Sequence, residues 1–270
     1  MKYSVVINQY KRTNFVDRAI QSCQSLIKEP DDTIEIIVVS DFPIKNVDKN
    51  ILCNVASVGY RYAQGLKEAT GDWIFLLDDD DYMRKDRLKS YSEDVLKENI
   101  AGYKVDRYNV IKEARLSYLK KTLSMKRIIK KHVDWHISEY SFNKTFRDKL
   151  LEKGIEDVDA SLDKFIFSIA LEQKHLFLTR VKSKVHIEKH RDSKMSSMNK
   201  NDKTIFYART AQIFTKAFMD EKILQNDYTI YCVNLNMFLA TKKKDYFDKA
   251  KQFMPLVNRL YYGFVYSRRD

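Results

Sequence analysis

The 270-residue sequence predicts an α/β fold: a mixed, mostly parallel sheet flanked by helices, followed by an α-helical C-terminal appendage. Three observations carry this expectation. The runs Ser4–Ile7, Ile34–Val39 and Trp73–Leu77 are β-branched or aromatic and nearly continuous, as strands buried on both faces of a parallel sheet are. Helical patterns separate them, so strand and helix alternate as at the start of a doubly wound sheet. After about residue 196 the strand-like runs stop and long helical periodicities begin.

Taken in order, the first strand closes at Asn8-Gln9-Tyr10. Asn14 is the expected N-cap of the first helix, with Phe15, Ala19, Ile20, Cys23 and Ile27 at helical spacing. The second strand ends at Ser40-Asp41. A helix over Tyr60–Thr70 sets Ala63, Leu66 and Thr70 on one face, with Gly71 just past its end. The third strand runs into Asp78-Asp79-Asp80-Asp81. Further on the pattern predicts a helix at 92–100, a strand near 104–111 and a strand over Leu176–Val185. Residues 112–131 hold eight Lys or Arg against Glu113 alone, either a solvated helix face or a basic segment over an anionic ligand. In the appendage, Ile205, Phe206, Ile213, Phe214, Ala217 and Phe218 recur at helical spacing, as do Tyr246, Ala250, Phe253, Leu256 and Leu260. About three helices are expected there.

Composition narrows the function classes. Lys and Arg number 49 and Asp and Glu 37, a net charge of +12, which admits an anionic partner: a nucleic acid, a membrane surface or an anionic substrate. Only 6 Gly and 3 Pro exclude collagen-like and linker-type chains. Cys23, Cys53 and Cys232 form no CxxC pair, so neither a disulfide framework nor a zinc ribbon is expected, in keeping with a reducing compartment. The opening apolar run ends at Asn8-Gln9, too early for a signal peptide. The longest later one, Tyr228–Ala240, contains Asn234 and Asn236 and falls short of the roughly 20 residues a spanning helix needs. A cytoplasmic protein is expected. Arg268-Arg269, with Tyr261, Tyr262, Phe264 and Tyr266, offers a peripheral membrane contact or an acceptor-docking edge.

The sharpest chemical feature is the buried strand that runs directly into four carboxylates. Such crowding raises carboxylate pKa values, and a divalent cation relieves it. Oxygen donors suit Mg²⁺ or Mn²⁺, bound by one or two carboxylates together with substrate phosphates. In an open α/β sheet ligands bind outside the carboxyl ends of the strands, and here all three strand ends fall on one edge. Gly59, Gly65 and Gly71 cluster just before the acidic run, each expected to serve backbone geometry or close approach. No GxGxxG follows the first strand and no GxxxxGK[ST] occurs, against a dinucleotide enzyme or a P-loop NTPase.

Taken together, Tyr3–Arg12, Glu35–Asp41 and Gly59–Asp81 resemble family 2 glycosyltransferases of the GT-A fold. The turn Asn8-Gln9-Tyr10-Lys11-Arg12 stands where the family has a Pro-Thr-Tyr-Asn-Arg-like sequence, and Val39-Ser40-Asp41-Phe42-Pro43 where it has Val-Asp-Asp-Gly-Ser. Ala69-Thr70-Gly71-Asp72-Trp73 through Asp81 matches its third block. Ser40 and Ala63 depart from the family pattern. The resemblance implies a nucleotide-diphosphate sugar donor held by Gln9, Tyr10, Arg12, Asp41, Arg61 and Asp78. It implies Mn²⁺ or Mg²⁺ on Asp80 and Asp78, with His190 as a further ligand and His186 as its neighbour. It divides residues 1–195 into a nucleotide-sugar half (1–100) and an acceptor half (101–195), before the helical region 196–270. Its inverting members carry a catalytic base at the head of a helix; Asp163 is the first choice here, and Glu156, Asp157 and Asp159 are rivals. Trp135 and His136 precede the acceptor segment, Trp135 as a sugar-stacking wall or as core. The implied acceptor is a glycan, a lipid-linked saccharide, a protein or a small molecule.

Three other readings compete. A sugar-1-phosphate nucleotidylyltransferase would need a Gly-rich signature where Tyr10-Lys11-Arg12-Thr13 stands. A basic nucleic-acid-binding module accounts for the charge, but four Asp at a strand end repel phosphate, so no nucleic-acid partner is expected. A catalytically degenerate scaffold would fit Ser40 and Ala63.

Overall fold

The computed structural model describes residues 1–88, 100–105, 136–172, 176–180, 185–187, 198–219 and 227–252. All but the last residue of the helix expected at 92–100, all but the first two residues of the strand expected near 104–111, the basic segment 112–131 and the aromatic C-terminal edge lie outside them. The described residues fall into two units. The first holds those from 1 to 166 together with 176–187; the second holds 167–172 and those from 198 onward.

In the first unit the chain alternates as its apolar runs predict. Strand β1 (Lys2–Asn8) leads to helix α1 (Val16–Gln24), then β2 (Thr33–Ser40), β3 (Lys49–Leu52), α2 (Val58–Glu68) and β4 (Trp73–Asp78). Next come β5 (Tyr82–Met83), β6 (Ile100–Val105), β7 (Ser141–Asn143), α3 (Lys144–Glu152), the start of α4 (Leu162–Glu172), whose residues from Phe167 on belong to the second unit, β8 (Leu176–Arg180) and β9 (Val185–His186). Among the described residues, seven strands form one sheet in the order β3-β2-β1-β4-β7-β6-β8, and β5 pairs with β9. Pairs β1–β2, β1–β4, β2–β3 and β6–β8 are parallel; β7 runs antiparallel to β4 and β6. The sheet is therefore mixed and mostly parallel.

Strand β1 lies inside the sheet, between β2 and β4. Tyr3 through Ile7 are fully buried, which is why its sequence is continuous rather than alternating. Its register sets Asn8 beside both Val39 and Asp78, so the strands end level at one edge. One face packs Val5, Ile7, Val38, Phe75 and Leu77 against Ala19, Ile20 and Cys23 of α1. The other receives α2, where Gly65 lies so near β1 that a Cβ would stand 2.3 Å from Val6 Cγ1. Arg61, on the same helix, is 1% exposed. Its Nε donates to Asn8 Oδ1 (2.7 Å), Nη1 to Cys53 O (3.0 Å) and Nη2 to Val39 O (2.9 Å), which ties the ends of β1, β2 and β3 together.

Three local expectations are corrected. Phe15 rather than Asn14 caps α1, and no side chain bonds there. Helix α2 begins earlier, capped by the Ser57 hydroxyl on Tyr60 N (3.4 Å), and ends at Ala69 in extended geometry, so Gly71 is not its terminator. Gly71 is required for proximity instead: its amide donates to Ser4 Oγ (2.7 Å), and a Cβ would stand 2.6 Å from Ser4 N. His186, expected beyond the strand over Leu176–Val185, lies within β9.

In the second unit, α5 (Lys200–Met219), α6 (Asp227–Thr241) and α7 (Lys244–Lys251) form the helical C-terminal region. Ala211 and Phe214 of α5 and Tyr231, Cys232, Leu235 and Phe238 of α6 are buried, and Phe238 meets Phe247 with ring centroids 5.0 Å apart. Among the described residues no helix is long and apolar enough to cross a membrane.

Two substitutions test this account by urea denaturation. Gly71→Ala pushes a methyl into the β1 backbone and should lose about 1–3 kcal/mol. Arg61→Met leaves the Cys53 carbonyl without its donor and should also cost about 1–3 kcal/mol.

Candidate active site

The edge where β1, β2 and β4 end carries a tight turn and an acidic run. The turn is held from inside. Gln9 is fully buried; its amide donates to Val39 O (2.9 Å), its Nε2 to Arg12 O (2.8 Å), and its Oε1 accepts from Asp41 N (3.3 Å). Lys11 sits at φ 60°, and its amide reaches both Asp41 carboxylate oxygens (3.1 and 3.3 Å). Gln9 and Asp41 thus fix a backbone that a non-glycine residue adopts only at some strain. Tyr10 is half-buried, with its ring 4.7 Å from the Arg61 guanidinium. Burial lowers the Arg61 pKa, and three acceptors already take up that guanidinium, so Arg61 supports the site from below.

The acidic run divides into two pairs. Asp79 and Asp80 face Arg12: Nη2 pairs with Asp79 Oδ1, and Nη1 lies 2.6 Å from Asp80 Oδ2. Asp79 is 1% exposed, and among the described residues its Oδ2 has no hydrogen-bond partner. The Asp80 carbonyl accepts from Arg18 (2.9 Å). Asp78 and Asp81 face His136 instead. Nδ1 lies 3.1 Å from Asp81 Oδ2 and Nε2 3.8 Å from Asp78 Oδ2. Asp78 Oδ1 also accepts from Tyr62 OH (2.8 Å), and its amide donates to Ser138 Oγ (2.8 Å).

The electrostatics follow from burying like charges together. Burial, reinforced by Asp81 and Asp80, raises Asp78 to about 7 against the pull of His136. Burial, with Asp80, raises Asp79 to about 7 although Arg12 opposes it. At His136 burial works against the imidazolium, but Asp81, Asp78 and Glu139 outweigh it and raise the ring to about 9. Burial and then Asp78 push Tyr62 well above its ordinary value, so it stays a neutral donor. One donor atom each from Asp78, Asp81 and His136 lies within 4.8 Å of the others. Two carboxylates and an imidazole, crowded at a strand end, are a donor set that a divalent cation fits.

The other expected residues are placed as follows. Asp163 lies in the first turn of α4, where its carbonyl accepts from Tyr140 OH (3.0 Å); Tyr140 O in turn accepts from Leu76 N (3.2 Å) on β4. Of the rivals, Glu156 forms a surface ion pair with Lys67 (2.8 Å) and Asp157 is exposed. His186 stacks on Tyr82 (4.4 Å), whose ring also meets Arg18 (4.8 Å). His190 and Trp135 lie outside the described residues. The structure brings Arg12 onto Asp79 and Asp80, and joins Gln9 with Asp41 and Tyr10 with Arg61. It adds three residues that the sequence did not link to the acidic run: His136, Tyr62 and Ser138. Tyr62 follows Arg61 directly, a faint local signal. His136 and Ser138 reach the run only through the pairing of β7 with β4.

Comparison with known proteins agrees with this architecture. The profile described as glycosyl transferase family 2 matches residues 4–155. No curated protein sequence matches the chain. Among solved structures, TarS of S. aureus superposes with a TM-score of 0.58 at 15% identity, covering 91% of this chain and 45% of TarS. The chain thus spans less than half the length of that relative. TarS 1-349 in complex with UDP-GlcNAc gives 0.59 at 15% identity, over 90% of this chain and 73% of that one. The mannosyltransferase PcManGT from Pyrobaculum calidifontis, in complex with GDP-Man and Mn²⁺, gives 0.59 at 12% identity, over 93% and 73%. At such identities these likenesses show a shared fold. The profile match covers more than half of the sequence, and it follows that the chain belongs to glycosyl transferase family 2.

Proposed function

We propose that this chain moves a sugar from a nucleotide-diphosphate sugar to an acceptor hydroxyl, by a metal-dependent single displacement that inverts the anomeric centre. One observation carries the reading: the turn 9–12, Asp41 and a carboxylate–imidazole donor set stand together at the carboxyl edge of parallel strands, where open α/β sheets bind their ligands. The UDP-GlcNAc and GDP-Man complexes of the similar structures support a sugar-nucleotide donor, and the Mn²⁺ in one of them supports a cation.

Asp78, Asp81 and His136 would hold the cation; the imidazole nitrogen among the ligands suits Mn²⁺ better than Mg²⁺. Bound there, a divalent ion supplies charge neutralisation to the departing nucleoside diphosphate. The chain's own residues do the rest. Tyr10 offers the nucleoside a ring face made rigid by Arg61 beneath it. Gln9 and Asp41 fix the turn whose backbone approaches the donor. Tyr62 and Ser138 hold Asp78 in place. Asp163, at a helix N-terminus that favours an ionised carboxylate, takes the proton from the acceptor hydroxyl. Alignment of hydroxyl and anomeric carbon contributes much of the rate gain.

Thermal-shift measurements with UDP-, GDP- and TDP-sugars, each with and without Mn²⁺, test the reading: at least one donor should stabilise the protein, and only with the ion present. No shift with any combination would favour a scaffold without transferase activity. His136→Ala should weaken Mn²⁺ binding by about tenfold or more in titration calorimetry. Asp163→Asn should keep the donor-induced shift while transfer falls by about 10²–10⁴-fold; equal transfer rates would move the base to Asp157 or Asp159.

A further inference from the structure

Arg87 carries a charge into the interior: it is fully buried, and the transfer proposed above gives it no part. A guanidinium away from water is tolerated where its donors meet oxygens and its face meets an aromatic ring. Arg87 has both kinds of contact. Its guanidinium carbon lies 4.7 Å from the centre of the Phe75 ring, and its Nη2 donates to Ser138 O (3.1 Å). Phe75 belongs to β4, as Asp78 does. Ser138 belongs to the short turn Ile137–Glu139, which His136 caps. Arg87 thus joins the strand that leads to Asp78 and Asp81 to the turn that bears His136. That turn is closed as a unit. Glu139 N donates to His136 O (3.0 Å), Tyr140 N to Ile137 O (3.0 Å) and His136 N to Glu139 Oε2 (2.8 Å). Where Ser138 stands therefore decides where His136 stands. Ser138 is fully buried, so its carbonyl cannot turn to water; Asp78 N holds its hydroxyl (2.8 Å) and Arg87 holds its carbonyl. The imidazole lies 3.1 Å from Asp81 and 3.8 Å from Asp78, a spacing of ligand atoms that a slip of about 1 Å would spoil.

We propose that Arg87 is a positioning residue for the metal centre: by holding the Ser138 carbonyl against β4, it sets the His136 imidazole at the distance from Asp78 and Asp81 that a divalent cation needs. Arg87 touches neither the ion nor a substrate; its effect on the cation passes through His136. The inference rests on the metal site proposed above and adds the residue that sets its geometry.

Mn²⁺ titration of the full chain by calorimetry tests it, with the melting temperature in EDTA as a separate measure of the fold. Arg87→Met removes the donor and should weaken Mn²⁺ binding by about tenfold. Arg87→Lys keeps the charge and a donor, but an ammonium cannot both lie flat on Phe75 and reach Ser138 O, so it should weaken binding by about threefold. His136→Ala removes the ligand that Arg87 serves. Adding either Arg87 substitution to His136→Ala should therefore cause no further loss of Mn²⁺ affinity, although each still lowers the melting temperature in EDTA. Unchanged Mn²⁺ affinity in folded Arg87→Met overturns this inference alone. So does a further loss in the His136→Ala background, which would make the effect of Arg87 one on the carboxylates or on the fold at large. If Arg87→Met does not fold, Arg87→Lys decides by the same two comparisons. Mn²⁺ that does not bind the wild type overturns the metal site, and this inference with it.

Discussion

The buried guanidinium of Arg61 is the contact on which the rest of the edge depends. Parallel strands have no hairpins to hold their ends level, and each ends in carbonyls with no further strand residues to pair with. Arg61 gathers Asn8, Val39 and Cys53 into one cluster and lets the Tyr10 ring lie over it. The turn 9–12, the Asp41 contact and the position of Arg12 all start from that level edge. A buried cation costs desolvation energy, and here every nitrogen of the group is matched by an oxygen, the condition under which such burial is tolerated.

A second constraint is the concentration of charge. Four consecutive carboxylates after an apolar strand cannot all be ionised and buried without partners. The structure resolves this by dividing them between an arginine from the β1 turn and a histidine from the segment before β7. Both partners come from elements that flank β4 in the sheet, so the sheet order itself places compensating charge on either side of the run. Tyr62 adds a neutral donor from the helix side. The run is thus an internally balanced group whose remaining capacity lies in Asp78, Asp81 and His136.

Much of this was legible in the sequence. The three apolar runs became strands because burial on both faces demands continuous apolar residues, and the level ends of β1, β2 and β4 follow from their parallel register. The family resemblance rested on the same strand ends, and the profile match covers that region. Other features were not legible. Gly71 resembled a helix terminator, yet its need for a bare backbone arises from Ser4 on another strand. Gln9 resembled a ligand contact, yet it is wholly buried and shapes the turn. The part of His136 depends on an antiparallel pairing, β4 with β7, that no local pattern announces. Local periodicity reports which face is buried; it does not report which distant residue is on the other side.

The tether at Tyr140 has a consequence for how this protein can diversify. The link from Asp163 to β4 runs through the Asp163 carbonyl, the Tyr140 hydroxyl and carbonyl, and the Leu76 amide. Three of those four groups belong to the backbone. Side chains around this segment can therefore be exchanged during evolution with little effect on where the Asp163 backbone stands, while one phenol ties it to β4. The surface of the segment and the placement of its backbone are separately inherited traits in such an arrangement, and a lineage can change the first while conserving the second.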